Sequence, residues 1–308
     1  MKCFKTIFKS FLISTLFILT TPAHLFSTST YSKNLINEDL SPTFALEELL
    51  SEMGIPYPRS YEQLVVVTQD QWIRKAKERW QEELRFTDKK EELLPILEKL
   101  GCINQVSASQ KHYDYAIVLG ASVNGTRPKL IQLIEEYNKG VRFDKVIFLT
   151  ANWEHDLERE IPAYLDLNQP KLPIKQSWTP PENIPTTEYE ITQSIIDQIE
   201  FPEGLDPSNF IHIATGNLKD SKNSPRRANT KDTLIALTNH ESIENKSCLI
   251  FSLQPYIGYQ EAIVREVLSK SCEIETVGQA CSEDMNVAIL LDSVARWIYA
   301  EGQKQKIL

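Results

Sequence analysis

The clearest indication of the fold is the sequence Tyr-Ala-Ile-Val-Leu-Gly-Ala-Ser, residues 115–122. Five apolar or aromatic residues in a row, ending at Gly120, are typical of a strand buried on both faces, as in a parallel sheet covered by helices. A helical run, residues 128–140, and a second apolar strand, residues 145–150, follow it. Strand, helix and strand within about 36 residues have the size of a βαβ unit, so we predict a parallel sheet.

The same alternation continues towards the C-terminus, which predicts an α/β fold class. Further strands are predicted at residues 210–214, 248–253 and 274–277, and further helices at residues 154–165, 186–199, 230 onwards, 259–268 and 285–300. Sheet and helices together would enclose a full hydrophobic core, because a chain of 308 residues is long enough for one large domain or a domain with an appendage.

Residues 30–110 are predicted to be a helical appendage packed on the sheet. One amphipathic helix ends at Gly54, and a longer one covers residues 61–86 with Trp72 and Trp80 on its apolar stripe. Tryptophans at helical spacing are typical of a core. Thr87 is expected to cap a third helix, in which Pro95 causes a kink or a later start.

Residues 1–29 are predicted to be a targeting segment and not part of the fold. Lys2, Lys5 and Lys9 precede an apolar run, residues 11–19, and small residues follow. This order is typical of a secretory signal peptide, whereas a membrane span needs roughly 20 apolar residues. A signal peptide is favoured, with an uncleaved N-terminal anchor as the alternative, and either would place the protein outside the cytosol.

Charge and cysteine content restrict the partners and the covalent links. The formal charge is −9, and −12 once the three lysines of residues 1–29 are removed, so nucleic acid is not expected as a partner. Cys102, Cys248, Cys272 and Cys281 are even in number, which allows disulfides in an oxidising compartment. Cys272 and Cys281 could close a small loop, while Cys248 fits a small buried apolar residue at least as well.

Four loops that follow predicted strands are expected to form a cleft. They begin at Gly120, Thr150, Thr215 and Ser252. Carboxyl ends of parallel strands lie along one edge of a sheet, where loop amides and helix N-termini can bind a ligand. We therefore expect the four loops to surround one cleft, and Asn152 in the second loop to contribute to ligand binding.

The first of these loops, residues 120–127, matches neither common phosphate-binding pattern. Thr126 and Arg127 stand where a P-loop has its lysine and hydroxyl, and Ser122 replaces the middle glycine of GxGxxG. A nucleoside triphosphatase is therefore disfavoured. Gly120, the Ser122 hydroxyl and the Arg127 cation still suit an anionic group, although a tight strand-to-helix turn explains the glycine equally well.

Two helix starts carry further candidate ligand-binding residues. Thr187 with Glu188, and Asn229 with Thr230, each stand where a helix is predicted to begin. Threonine and asparagine commonly cap helices, so capping is the simpler interpretation and ligand binding is the alternative.

Charged side chains in the loops suggest two other sites. Arg226 and Arg227 could clamp a phosphate or a carboxylate, or could be solvated loop charges. The run Glu-His-Asp at residues 154–156 contains metal-ligand types, but adjacent residues on a helix face different directions, so no metal site is predicted.

Taken in order, these stretches resemble the DUF218 family, which includes bacterial envelope proteins of the SanA, ElyC and YdcF type. The resemblance covers roughly residues 113–299 and implies a Rossmann-like three-layer sandwich for residues 111–308, leaving the helical segment unexplained. The matching stretches are residues 115–122, 150–152, 187–188, 229–232 and 249–252 with the helix after it.

The resemblance also implies a location and a ligand. Family members are exported to the periplasm or attached to the inner membrane facing it, with roles in cell-envelope biogenesis. One branch has been linked to S-adenosylmethionine, so the resemblance implies that compound or a phosphate-bearing ligand. By position, Gly120, Ser122, Glu188, Asn229 and Thr230 would line the cleft.

This chain departs from the family pattern at two loops. The family commonly has a glycine pair where this chain has Ala151 and Asn152, and a histidine and an arginine where this chain has Gln-Pro-Tyr-Ile-Gly-Tyr-Gln, residues 254–260. Without the histidine and arginine, an acid/base pair or anion clamp is missing, so catalysis is expected to be altered or absent.

From these features we expect an exported bacterial envelope protein that binds a small anionic or nucleotide-like ligand at the carboxyl ends of the strands. The alternative is a noncatalytic interaction protein with a degenerate cleft, which binds a protein partner through its acidic helical segment. A third class is a hydrolase or transferase that uses Glu188 as general base.

Overall fold

A computed structural model describes residues 35–307, apart from residues 77, 169–170, 217 and 269–271. The predicted targeting segment, residues 1–29, therefore lies outside the described residues. Within the part that is described, no helix combines the length and apolar character that a membrane span needs.

A five-stranded parallel sheet forms the centre of the protein. Its strands are β1 (His112–Leu119), β2 (Arg142–Ala151), β3 (Ile211–Thr215), β6 (Ser247–Leu253) and β7 (Glu273–Gln279), while β4 (Leu218–Lys219) and β5 (Pro225–Arg226) make a separate antiparallel hairpin. The sheet order is β3-β2-β1-β6-β7, with every neighbouring pair parallel. The predicted α/β class is confirmed, and the order is Rossmann-like, reversing direction between β1 and β6.

Helices cover both faces of the sheet. In chain order they are α1 (Phe44–Glu52), α2 (Tyr61–Trp72), α3 (Lys90–Lys99), α4 (Val123–Asn138), α5 (Leu157–Leu165), α6 (Glu188–Gln198), α7 (Thr230–His240), α8 (Ile257–Val267) and α9 (Val287–Lys304). Side chains from α4, α5 and α6 share a hydrophobic cluster with one face of β1, and those from α7 and α8 share a cluster with the other. The result is a three-layer α/β/α core.

Alternation along β1 explains why its sequence is continuously apolar. Ala116 and Val118 pack towards α4 and α6, whereas Ile117 and Leu119 pack towards α7 and α8. Successive strand residues point to opposite faces, so a strand between two helical layers needs apolar residues at every position. All four of these side chains are buried, as the sequence predicts.

The helical segment packs on helices α8 and α9, not directly on the sheet as expected. Its buried residues, among them Leu64 and Trp72, form one hydrophobic cluster with Ala262 of α8 and Val294 of α9. The end of the segment reaches the sheet edge, where the backbone of Val106 bridges that of Gly278 in β7. The protein therefore has a third hydrophobic cluster, on the side of α8 and α9 that faces the helical segment, and burial of apolar surface stabilises it.

The single helix predicted for residues 61–86 is wrong, because α2 ends at Trp72. The next amides bond to side chains instead of to helix carbonyls: Arg74 donates to Asp292 at 3.1 Å, and Lys75 donates to Glu82 at 2.9 Å. Because these carboxylates accept the hydrogen bonds of the two amides, the amides do not bond to the carbonyl oxygens four residues earlier, and the helix ends. A 3-10 turn, Arg79–Gln81, follows.

This break changes the environment of the second tryptophan. Trp72 is fully buried, as predicted, but Trp80 is 44% exposed and Leu84 is 76% exposed, so neither lies in the core. Trp80 and Leu84 share an apolar stripe with Trp72 only if residues 61–86 form one continuous helix, and they do not.

Other element boundaries move by a few residues. Helix α4 begins at Val123, five residues before the predicted start at residue 128, and α5 begins at Leu157, not at residue 154. Thr87 opens a 3-10 turn, Thr87–Lys89, and α3 follows with Pro95 inside it. The third predicted helix of the segment is thus confirmed, although Thr87 does not cap it.

The proposed link between Cys272 and Cys281 is wrong. These residues flank β7, whose seven residues extend for roughly 20 Å. A disulfide requires Cα atoms within about 7 Å of each other. None of the four described cysteines forms a disulfide, and Cys248 is fully buried in an apolar cluster, which confirms the small-hydrophobe interpretation.

Candidate functional site

A cleft of about 750 Å³ opens at the carboxyl ends of β1 and β6. It therefore lies at the point where the strand order reverses, which is the ligand position in open α/β sheets. Its lining includes Gly120 and Ser122 after β1, Leu253 at the end of β6, and the turn around Arg79 from the helical segment. The helical segment is thus one wall of the cleft.

Gly120 permits a close approach between β1 and the start of α6. A Cβ atom on this residue would lie 2.1 Å from Oε1 of Glu188 and 2.6 Å from the carbonyl oxygen of Leu149. Real Cβ atoms do not tolerate such contacts. Glycine is therefore required here by the packing of the buried Glu188 carboxylate against the strand end.

Glu188 and Arg227 form an ion pair at the floor of the cleft. Oε2 of Glu188 accepts a short hydrogen bond from Arg227, and Oε1 accepts one from the backbone amide of Ala151 at 3.1 Å. Glu188 is buried, whereas the Arg227 side chain is 42% exposed. The buried carboxylate thereby holds a guanidinium group that still faces the cleft.

Lys129 is a buried cation in the same floor. It projects from α4, and its Nζ donates hydrogen bonds to the carbonyl oxygens of Leu119 at 2.6 Å and Gly120 at 3.3 Å. Burial lowers the pKa of Lys129 to about 7; Glu188 opposes this shift, and Arg79 and Arg227 add to it. A lysine with this pKa changes charge near neutral pH.

The two predicted helix caps are both present. Thr187 caps α6 through a capping box with Glu190, and Asn229 caps α7 through one with Asp232. Asn229 and the adjacent Thr230 also line the cleft. Capping and a position in the cleft are therefore compatible for Asn229, because the N-terminus of α7 itself borders the cleft.

Glu160 satisfies the N-terminus of α4. Its Oε2 accepts a hydrogen bond from the amide of Val123 at 2.7 Å, and Arg159 pairs with its other oxygen at 3.0 Å. Glu160 is 2% exposed. At many helix N-termini an anion binds in this position, which the Glu160 carboxylate takes here. The Val123 amide is therefore already bonded, and the remaining groups of the Ser122 loop face the cleft.

Aromatic and cationic side chains form the opposite wall. The guanidinium carbon of Arg79 lies 4.1 Å from the ring centre of Tyr256, and Nη2 of Arg79 donates to the hydroxyl of Tyr259 at 3.3 Å. Arg159 lies 4.0 Å above the ring of Trp80. These contacts connect the helical segment to α5 and α8 across the cleft.

The charge of the cleft is opposite to that of the chain. Its described lining residues include five basic side chains, Arg74, Arg79, Lys129, Arg159 and Arg227, and three acidic ones, Glu78, Glu188 and Asp284. The whole chain, by contrast, carries −9. A basic concave surface on an acidic protein favours small anions at this position.

Two sequence candidates lie elsewhere. Asn152 is exposed beyond the end of β2, where its amide bonds to Thr215, and it is not among the described residues that line the cleft. Arg127 is buried and donates to the carbonyl oxygens of Ala163 and Tyr164 at the end of α5. Arg127 thus stabilises a helix C-terminus and does not face an anion.

The predicted meeting of four strand-end loops is realised for two of them. Loops after β1 and β6 contribute to the cleft, and among its described lining residues Leu149 represents β2. Asn217, in the loop after β3, lies outside the described residues. The cleft is centred on the reversal of strand order and not on the whole sheet edge.

Three residues that line the cleft are not predicted as site residues from the sequence: Lys129, Arg79 and Trp80. Lys129 carries a recognisable signal, because it stands on the buried side of an amphipathic helix directly after the glycine loop. Arg79 and Trp80 carry none, since only the end of α2 at Trp72 brings them to the cleft.

Metal-ligand types are not clustered in the described residues: no group of three His, Cys, Asp or Glu side chains is arranged there to hold a metal ion. His155, from the run at residues 154–156, has its pKa lowered to about 4 by burial and by Arg227 and Arg159. It is therefore neutral at physiological pH.

Comparisons of the chain with models of known protein families, with curated protein sequences and with solved structures found no match in any of the three.

Proposed function

We propose that the protein binds a small anionic or nucleotide-like ligand in the cleft at the carboxyl ends of β1 and β6. The observation that carries this proposal is the position of Arg227 and Lys129 at the reversal of strand order, beside a glycine that allows close approach. Anionic groups are favoured there by charge and by the nearby N-terminus of α7.

Inorganic phosphate, sulfate, nucleotides and S-adenosylmethionine are suitable probes in thermal-shift and titration experiments. We expect phosphate to raise the melting temperature, and Arg227→Gln to weaken binding by roughly tenfold, since a hydrogen bond to a charged group contributes about 1.5–3 kcal/mol. Arg226→Gln is the matched control. Arg226 pairs with Asp232 at 2.6 Å and should be dispensable for binding.

The result that would overturn the proposal is clear. If none of these probes stabilises the protein, or if Arg226→Gln weakens phosphate binding as much as Arg227→Gln does, the cleft is not the anion site.

Export and an envelope role are part of the same proposal, together with membership of the DUF218 family. They rest on residues 1–29 and on the order of the strand-end loops. A fusion of these 29 residues to alkaline phosphatase, which needs disulfides and so an oxidising compartment, should be active in cells. An inactive fusion, with an active control carrying a known signal peptide, would exclude export by this segment.

For catalysis, the geometry favours a positioning role for Glu188. Both of its oxygens already accept hydrogen bonds, from Arg227 and from the amide of Ala151. Glu188 thus orients the guanidinium group, and a hydrolase or transferase that uses it as general base is the less favoured proposal.

An interaction protein is the second candidate function, supported by exposed apolar side chains on the helical segment. Phe44, Val66 and Leu84 are 78%, 67% and 76% exposed. A photo-crosslinking residue at position 44 or 66 should give a discrete adduct in cells, while one at Tyr299, an exposed aromatic of α9, should not. Equal labelling at all three positions would contradict this function.

A further inference from the structure

The wall of the cleft opposite Arg227 contains a second group of cations. Arg79 is fixed by the ring of Tyr256 and the hydroxyl of Tyr259, and its Nε is buried without a hydrogen-bond partner. Among the described residues, no carboxylate lies within ion-pair distance of Arg79 or Arg74, although both line the cleft. A buried polar atom without a partner is unfavourable and indicates a group that a ligand can satisfy.

Asp292 interacts electrostatically with both arginines, but both of its oxygens are already bonded. Oδ2 accepts from Nε of Arg296 at 2.9 Å, and Oδ1 accepts from the backbone amide of Arg74 at 3.1 Å. Asp292 is fully buried. Among the described residues, the only guanidinium group paired with Asp292 is that of Arg296. The charges of Arg74 and Arg79 are therefore offset only at longer range, by Asp292 and, for Arg74, by Glu78.

The pKa values of the two arginines shift in opposite directions. For Arg79, burial lowers the pKa, but the interactions with Tyr259, Tyr256 and Asp292 outweigh burial and raise it. Burial lowers the pKa of Arg74, and the like charges of Arg79 and Arg296 lower it further. Arg79, Lys129 and Arg227 all line the same cleft of about 750 Å³. The two cation groups are therefore close enough to contact one small ligand.

We propose that Arg74 and Arg79 form a second anion subsite and that the ligand carries two linked anionic groups of the diphosphate type, one held by Arg227 and Lys129 and the other by Arg74 and Arg79. This inference rests on the proposed function, because the first group occupies the anion site already described. Inorganic pyrophosphate is the simplest probe of this class, and inorganic phosphate probes the first subsite alone.

Titration calorimetry at constant ionic strength tests the second subsite. We expect pyrophosphate to bind roughly tenfold to hundredfold more tightly than phosphate, the factor that charge-assisted hydrogen bonds to one added anionic group supply. Arg74→Gln and Arg79→Gln should remove most of this ratio while phosphate affinity changes by less than about threefold. Arg227→Gln should weaken both ligands.

The variants and the control follow from the contacts. Arg74 bonds to Asp292 through its backbone, so Arg74→Gln keeps that contact and provides a folded variant if Arg79→Gln does not fold. Arg142→Gln is the matched control, since Arg142 also stacks on a tyrosine, at 4.0 Å from the ring of Tyr137, but stands at the start of β2, away from the cleft. It should leave both affinities unchanged.

Each result decides between the two proposals. If phosphate binds and Arg227→Gln abolishes this binding, but pyrophosphate binds no more tightly, the second subsite is refuted and the anion site remains. If the ratio survives both Arg74→Gln and Arg79→Gln, the second subsite is also refuted. If neither ligand binds, both proposals fail.

Discussion

Gly120 brings β1 so close to Glu188 that a single added methyl group should lower stability. In Gly120→Ala the new Cβ would contact Oε1 of Glu188 and the carbonyl oxygen of Leu149. The side chain can move, but the strand backbone cannot, so we expect a loss of about 1–3 kcal/mol in the free energy of unfolding. Urea denaturation measures this loss.

A matched glycine provides the control for this substitution. Gly216 follows β3 as Gly120 follows β1, and a Cβ added there meets no atom within 4 Å. Gly216→Ala should therefore change stability by less than about 0.5 kcal/mol. Equal effects of the two substitutions would show that the Glu188 contact is not the cause.

Lys129 makes stability depend on pH in a defined window. The lysine has a pKa near 10.4 in an unfolded chain and about 7 in the folded protein. Between these values the unfolded chain binds a proton that the folded protein does not. The contribution of Lys129 to stability therefore falls as the pH is lowered from about 10 to 7, and this contribution changes little below that range. Relative to Lys129→Met, the wild type should gain up to about 4 kcal/mol between pH 7 and pH 10. Parallel urea titrations at several pH values measure the difference, and identical pH profiles would contradict it.

The same proton should control the binding of sulfate, which keeps its charge over this range. Protonated Lys129 attracts the anion, so affinity should fall by roughly tenfold as the pH rises from 6 to 9. Lys129→Met should bind sulfate weakly with little dependence on pH. Calorimetric titrations of both proteins measure this, and a wild-type affinity that is constant with pH would exclude a role for Lys129 in binding.

At the scale of elements, the N-terminus of α4 depends on a carboxylate from α5. Glu160→Ala removes the acceptor of the Val123 amide and leaves that amide buried, so we expect a loss of about 1–3 kcal/mol in the free energy of unfolding. Glu158 lies two residues earlier in the same helix and is exposed. The substitution Glu158→Ala should therefore change stability by less than about 0.5 kcal/mol. Urea denaturation of both variants is the measurement, and similar losses would argue against this capping contact.

The elements themselves follow closely from local sequence. Strands β1, β2, β3, β6 and β7 all lie where apolar runs predict them, because a strand between two helical layers requires such runs. Helix α2 is the exception. Its apolar spacing continues past Trp72, but carboxylates from Glu82 and Asp292 bind the following amides, and Asp292 is more than 200 residues away in the chain.

At the scale of the whole molecule, the helical segment and α9 share one core. Leu64→Ala should therefore destabilise the protein by about 2–5 kcal/mol, the usual cost of a buried leucine cavity. Val66→Ala, on the exposed side of the same helix, should have an effect of less than about 0.5 kcal/mol. Urea unfolding followed by circular dichroism should show a single transition, and a separate early transition would show that the segment unfolds independently of the sheet.

The candidate site is only partly predictable from the sequence, because its position depends on the order of the strands in the sheet. Strand ends and helix starts predict Gly120, Ser122, Glu188, Asn229 and Thr230, and the loop charge predicts Arg227; all six line the cleft. Asn152 was predicted by the same rule but lies outside, because the cleft follows the reversal of strand order between β1 and β6. Strand order depends on which strands pair, and local sequence does not specify that.

Local periodicity and turn chemistry are sufficient to predict the α/β class, the positions of the five strands and most of the residues at their ends. By contrast, the positions of Arg74, Arg79 and Trp80 beside those strand ends, and the burial of Lys129 among them, arise from long-range packing. These contacts join segments far apart in the chain. These contacts are stabilised by burial and by charges that folding brings together, and local sequence patterns do not predict either of them.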